Sequence, residues 1–142
     1  MAKKYNVCVL GATGMVGKEM IKVLEQRKFP VDSFLPLASE RTAGQTVAFQ
    51  WKEYTVEVAG PESFKGMEIG LFSAGAKVSA LLAPEAAKRG CVVIDNTSHF
   101  RMDPEVPLIV PEVNGHALKK HKGIIANPNC STAQLVLVLK PI

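Results

Sequence analysis

Apolar and polar positions along this chain switch between a period of two and a period near three and a half, and the switching lays out a βα series. Tyr5–Leu10 is a short apolar run rich in β-formers, cut off by Gly11. Met15–Gln26 follows with Met15, Val16, Met20, Ile21, Val23 and Leu24 at helical spacing. Phe29 and Pro30 close that helix, and residues 33–38 predict a second strand, although Pro36 removes a ladder donor from it. Polar residues 39–45 form a loop. Residues 46–49 and 54–58 carry β-branched and aromatic side chains on either side of residues 50–53, which predicts an antiparallel excursion or sheet-edge strands.

The βα alternation then resumes with a strand over residues 68–73 and a helix over residues 76–88. Residues 91–95 are apolar enough to predict a strand covered on both faces. A polar loop fills residues 96–107, a short strand 108–110, a helical turn 114–120 and a last strand 123–126. Ser131 is placed to cap a final helix whose apolar positions, Leu135, Val136, Val138 and Leu139, run almost to Ile142. The expected fold is α/β: a Rossmann-type, doubly wound, mostly parallel sheet in a single domain. Residues 1–127 read as a dinucleotide-binding domain and residues 128–142 as the start of a catalytic segment, with the chain expected to be truncated before a second domain.

Composition narrows this little. A chain of 142 residues with 47% hydrophobic content builds one core. Its net charge of +4 comes from scattered basic residues, a mild attraction for phosphorylated ligands and not a nucleic-acid footprint. No apolar run reaches the roughly 18 residues of a membrane span, so a cytoplasmic protein without a membrane partner is expected. The three cysteines are far apart and lack CxxC spacing, which argues against a disulfide framework and a metal site.

The candidate chemistry begins at Gly11-Ala12-Thr13-Gly14-Met15-Val16-Gly17, between the first strand and helix. Gly11 permits the tight turn, Gly14 lets a pyrophosphate approach the backbone, and Gly17 lets the helix pack close to the strand. The helix N-terminus adds unpaired N–H groups and partial positive charge. The GxxGxxG spacing leaves several nucleotide-binding subfamilies open, and a turn without a ligand is the competing reading. After the second strand, Glu40 offers a carboxylate to the ribose of NAD, whereas Ser39 and Arg41 offer a hydroxyl and a guanidinium to a 2′-phosphate. NADP is the favoured cofactor, against NAD or a merely solvated loop.

Cys8 and Cys91 fall within or at the start of apolar strands and read as core. Cys130 stands at a strand-to-helix junction, where helix-terminal N–H groups favour a nucleophilic thiol, although a small buried residue would also fit there. The segments GATGMVG, ASERTAG, LFSAGAKVS, DNTSHFRM, VPEVN and NPNCSTAQ, in this order, resemble the aspartate-semialdehyde dehydrogenase family over essentially the whole chain. N-acetyl-γ-glutamyl-phosphate reductase shares a glycine turn and an active cysteine, but the asparagine before Cys130 is more like the semialdehyde enzymes.

The resemblance implies that Cys130 is the nucleophile, that Asn129 positions the substrate or its oxyanion, and that Arg101 binds phosphate or acyl phosphate. Taken without the resemblance, Arg101 reads as a surface arginine in a polar loop. The resemblance also implies that Ser73, Ala74 and Gly75 line the nicotinamide side of the cofactor, with Asn96 and Ser98 near the same cleft. Ser39, Arg41 and Thr42 would hold the adenosine 2′-phosphate, Thr42 standing where many members carry serine. The implied reaction is NADPH-dependent reductive dephosphorylation of L-4-aspartyl phosphate to L-aspartate 4-semialdehyde, toward lysine, methionine and threonine, in a homodimer or homotetramer. The family's acid/base histidine would lie beyond this chain, because His99, His116 and His121 read as structural or surface residues. The chain alone is therefore expected to bind cofactor with little turnover. A non-catalytic nucleotide-binding module and a structural interaction domain are the readings from other classes.

Overall fold

The computed structural model describes residues 3–142. The chain forms β1 (Tyr5–Leu10), α1 (Met15–Gln26), β2 (Val31–Ala38), β3 (Thr46–Phe49), β4 (Lys52–Thr55), β5 (Glu57–Val58), β6 (Ile69–Phe72), α2 (Ala76–Lys88), β7 (Val92–Asp95), α3 (Pro111–Asn114), β8 (Ile124–Ala126) and α4 (Cys130–Leu139). Single 3₁₀ segments lie at Pro61–Phe64 and Gly115–Lys120.

Six strands pair in the order β5-β2-β1-β6-β7-β8, every pair parallel. The chain moves outward from β1 to β2 and then returns to the other side of β1 at β6. The carboxyl ends of β1 and β6 therefore flank the switch point at which open α/β sheets bind ligands. The period of two in β1 sends side chains to both faces. Val7 and Val9 pack with Ile21 of α1, while Cys8 and Leu10 pack with Ala83 and Ala86 of α2. Burying each such Val or Leu contributes about 1.5–3 kcal/mol. Gly70 of β6 makes room on the α2 face, because a Cβ there would meet the Phe72 ring at 2.9 Å and the sulfurs of Cys91 and Cys8 at 3.2 and 3.4 Å.

The α/β expectation holds, with local corrections. Residues 54–58 are not one strand. The hairpin turns tightly at Gln50 and Trp51, so that Phe49 faces Lys52, and β4 ends at Thr55. Val56 turns inward, its N–H donating to Gln45 O while its carbonyl accepts from Gly44 N–H, and this swings β5 into the main sheet parallel to β2. β7 is not covered equally on both faces: Val93 and Asp95 are buried, but Val92 and Ile94 are half-buried. Residues 108–110 provide one bridge, Leu108 to Ala126, in place of a strand. Asn129, not Ser131, caps the last helix, its Oδ1 accepting from Ser131 N–H at 2.9 Å.

Pro36 is accommodated by position. Leu37 O accepts from the N–H groups of Gly11 and Ala12, so Leu37 directs its polar groups toward β1 and Pro36 directs its missing donor the other way, where pairing with β5 begins only at Leu37.

Candidate functional site

The turn after β1 is built as its glycines require. Gly11 has φ +90°, a left-handed value, and a Cβ on it would meet Ser73 Oγ at 2.9 Å. Gly11 and Ala12 N–H both donate to Leu37 O, which pins the turn to β2. The first helical bond of α1 runs from Lys18 N–H to Gly14 O at 3.0 Å, so the N–H groups of Met15, Val16 and Gly17 stand ahead of the helical ladder. Those donors and the positive end of the helix dipole suit a phosphate group.

This turn forms one wall of a cleft of about 520 Å³ outside the carboxyl ends of β1, β2 and β6. Gly11, Thr13, Gly14, Ser39, Arg41, Thr42, Ser73 and Ala74 line it. Thr13 Oγ1 donates to Thr42 Oγ1 at 3.1 Å, tying the glycine turn to the loop that carries Ser39 and Arg41. Ala12 and Gly17 lie buried beneath the turn, and Met15 and Val16 point outward. Gly75 precedes α2 with φ +98°.

Sequence reasoning missed the apolar half of the cleft, formed by Val58, Ala59, Val78, Leu81 and Leu82. Leu81 is 73% exposed, so α2 presents a leucine to open space beside a polar cleft. The helical period offered a signal, since Val78, Leu81 and Leu82 follow one face at i, i+3 and i+4.

The second group of expected residues lies farther along the same sheet edge. Asn96 N–H donates to Phe72 O and Asn127 N–H to Asp95 O, so the ends of β6, β7 and β8 are laced side by side. Asn127 Nδ2 donates to Asn96 Oδ1 at 2.8 Å. Arg101 Nε donates to Asn127 O at 3.0 Å and its Nη2 to Asn96 O at 2.9 Å. Among the described residues its Nη1 makes no hydrogen bond, which leaves one edge of the guanidinium for an anion. Behind this loop the buried carboxylate of Asp95 accepts from Ser79 Oγ at 2.8 Å, Thr97 N–H at 3.0 Å and Thr97 Oγ1 at 2.8 Å. Ser98 is exposed in the same loop.

Cys130 is the first residue of α4 and is exposed, its Sγ 3.8 Å from Asn129 Oδ1. Cys8 and Cys91 are buried. Contact with the Cys91 thiol, together with burial, holds the Cys8 thiol well above its ordinary value. Iodoacetamide at neutral pH is therefore expected to add one equivalent, at Cys130, to the folded chain. Peptide mapping that finds Cys8 or Cys91 labelled at a similar rate would contradict this arrangement.

Two of the three histidines have local contacts, and His116 is exposed. His121 Nδ1 accepts from Gly123 N–H at 3.1 Å, and His99 stands edge-on to Phe100. Among the described residues no group of three or more His, Cys, Asp or Glu could hold a metal ion, and no helix is long and apolar enough to cross a membrane.

Comparison with known proteins agrees with this geometry. The chain is 58% identical over its full length to aspartate-semialdehyde dehydrogenase of Bacillus subtilis, but covers 41% of that protein. It thus spans about two fifths of the length of the curated relatives it matches. The crystal structure of aspartate semialdehyde dehydrogenase II from Vibrio cholerae, complexed with ASA, superposes with a TM-score of 0.94 at 50% identity, over 98% of this chain and 46% of that one. The aspartate semialdehyde dehydrogenase of Candida albicans, crystallised with NADP, superposes with a TM-score of 0.78 at 31% identity, over 96% of this chain and 46% of that one. The family described as semialdehyde dehydrogenase, NAD binding domain, matches residues 6–121. On that match, which spans well over half of its length, the chain belongs to the semialdehyde dehydrogenase family and carries its NAD-binding domain.

Proposed function

We propose that this chain binds NADP and brings a nucleophilic thiol to the reductive dephosphorylation of L-4-aspartyl phosphate to L-aspartate 4-semialdehyde. The observation that carries the reading is the continuity of one sheet edge. A phosphate turn, an arginine loop, a half-satisfied arginine and an exposed cysteine follow one another along the carboxyl ends of the strands. The curated relatives bear the same enzyme name.

The residues present fit the cofactor. The leading N–H groups of α1, at Met15, Val16 and Gly17, would hold the pyrophosphate, and Gly14 would keep a side chain out of its way. Ser39, Arg41 and Thr42 supply a cation and two hydroxyls to the 2′-phosphate, and the slot between Val58, Val78, Leu81 and Leu82 suits a flat apolar base. Ser73, Ala74 and Gly75 would border the nicotinamide end, with Asn96 and Ser98 beyond them. When bound, NADPH would supply a hydride at this end of the cleft, where Cys130 would hold the acyl group.

This chain's own residues contribute a nucleophile, an anion site and a donor to the oxyanion. The Cys130 thiolate attacks the acyl carbon, the bond from that carbon to the phosphate oxygen breaks, and the acyl group remains on sulfur as a thioester. Arg101 takes the departing phosphate with the edge of its guanidinium that the Asn96 and Asn127 carbonyls leave over. Asn129 would donate to the oxyanion from its Nδ2, because its Oδ1 already accepts the Ser131 N–H that caps α4. After reduction the carbon–sulfur bond breaks, the electron pair returns to sulfur, and the aldehyde leaves. Residues 128–142 thus carry the nucleophile, while residues 1–127 hold the cofactor and, through Arg101, the phosphate.

Calorimetric titration of the chain with NADP and, separately, with NAD tests this. NADP is expected to bind the more tightly, and Arg41→Ala to weaken NADP about 10- to 100-fold, the worth of a charge-assisted contact of about 1.5–3 kcal/mol. NAD should be little affected. Equal losses for both cofactors would remove Arg41 from the 2′-phosphate, and absence of binding to either would overturn the reading of the cleft.

A further inference from the structure

A second cleft, of about 850 Å³, opens at the opposite end of the sheet from the nucleotide cleft. Lys4 leads into β1 there, Glu25, Gln26 and Lys28 come from the end of α1, Phe29, Pro30 and Val31 from the passage into β2, and Ala48, Gln50 and Trp51 from the β3–β4 hairpin.

The backbone singles this place out. Among the described residues three non-glycine residues have positive φ, Lys28 at +49°, Gln50 at +48° and Trp51 at +66°, and all three line this cleft. Lys28 occupies the position just past the end of α1 where glycine is favoured. Gln50 and Trp51 fill a two-residue hairpin turn of the kind that Asn-Gly serves at least cost. At each place the sequence keeps a large side chain where a smaller residue would relieve the backbone, which is the pattern expected when the side chain itself is needed.

The chemistry displayed is specific. Trp51, the one tryptophan of the chain, is fully exposed at 104% and so rests on no neighbour. Phe29, Pro30, Val31 and Ala48 form an apolar floor. Lys4 and Lys28 form no salt bridge among the described residues, whereas the one carboxylate of the lining, Glu25, accepts the Gln50 N–H and holds the hairpin to α1. An indole standing clear of the walls does not enclose a small ligand, but it is the kind of anchor that dominates protein contacts. We infer that this cleft docks an acidic, apolar-bearing peptide segment of another protein, with Trp51 as its anchor and Lys4 and Lys28 as its charge partners.

The sole tryptophan makes the test direct. A twelve-residue peptide of alternating Glu and Leu serves as probe, with Glu–Ser and Lys–Leu peptides as comparisons. The Glu–Leu peptide is expected to shift Trp51 emission to the blue in a saturable way. The shift should weaken at least tenfold in the Lys4→Glu/Lys28→Glu variant and in 0.5 M salt, where charge contacts are screened. By calorimetry Trp51→Gly, which relieves its own turn and should fold at least as well, is expected to lose binding at least tenfold. No shift with the Glu–Leu peptide, an equal shift with the Lys–Leu peptide, or a shift indifferent to charge reversal overturns the proposal. A blue shift that grows with protein concentration alone, alongside a doubled mass in light scattering, overturns it in favour of a second copy of the chain. A shift produced by phosphatidylserine vesicles and not by the peptide overturns it in favour of a lipid surface.

Discussion

Gly17→Ala is expected to cost at least about 3 kcal/mol, the upper part of the range for overpacked sites, and to lower the thermal midpoint by about 10 °C. A Cβ at Gly17 would lie 2.1 Å from Gly11 O, 2.7 Å from Gly11 C and 3.0 Å from Ala12 Cα. All three atoms are backbone of the phosphate turn, itself bound to Leu37 O, so none of them yields as a flexible side chain would. Either α1 lifts away from β1 or the turn deforms, and in both cases the leading N–H groups leave their places and NADP binding falls with stability. Gly14→Ala separates the two effects. Gly14 has φ −77°, and its Cβ would meet only Gly11 O, at 3.3 Å. That variant is expected to keep its stability within about 1 kcal/mol and still to bind NADP more weakly, because the added methyl stands where the pyrophosphate approaches. Urea unfolding and calorimetry on both variants check this. An unchanged midpoint for Gly17→Ala would mean that α1 does not rest on the turn.

Asp95→Ala is expected to cost about 3 kcal/mol, because it strands the Ser79 hydroxyl and the Thr97 N–H, each worth about 1–3 kcal/mol when buried without a partner. Asp95 is buried and forms no salt bridge among the described residues, so hydrogen bonds hold its carboxyl group in place. They also fix the first turn of the loop that carries Asn96, Ser98 and Arg101. Asp95→Asn keeps an oxygen for Ser79 and Thr97 N–H, while the Thr97 hydroxyl can turn to accept from the new amide, so a loss of about 1 kcal/mol or less is expected. Urea midpoints decide the matter: an Asn variant as unstable as the Ala variant would show that the negative charge, and not the pattern of bonds, is what the loop needs.

The residue pattern shows α1 and α2 closely because each buries one face at helical spacing, and β1 closely because burial on both faces makes it a continuous apolar run. It fails at Val56, whose inward turn depends on hydrogen bonds to Gly44 and Gln45 that no local alternation displays. It fails again at Asn129, since two cap-capable residues stand two positions apart and only the geometry of the turn selects between them. In the site, glycines and a guanidinium carry their chemistry openly in the sequence. Val58, Val78, Leu81 and Leu82 do not, because an aliphatic side chain that lines a cleft is written with the same letters as one that fills a core. Trp51 is misleading in the same way: in sequence it is one more aromatic in a strand-rich stretch, and only its full exposure sets it apart.

Pro36 bears on how this protein behaves among other copies of itself. A parallel sheet whose outer strand offers an unbroken row of donors can recruit a strand from a neighbouring chain and grow into an aggregate. Here the outward row of β2 is interrupted at Pro36, and β5 occupies the next two positions, Leu37 and Ala38. The imino acid that looks like a flaw in a buried strand leaves a gap in the donor row on this side of the sheet, which disfavours pairing with an incoming strand there.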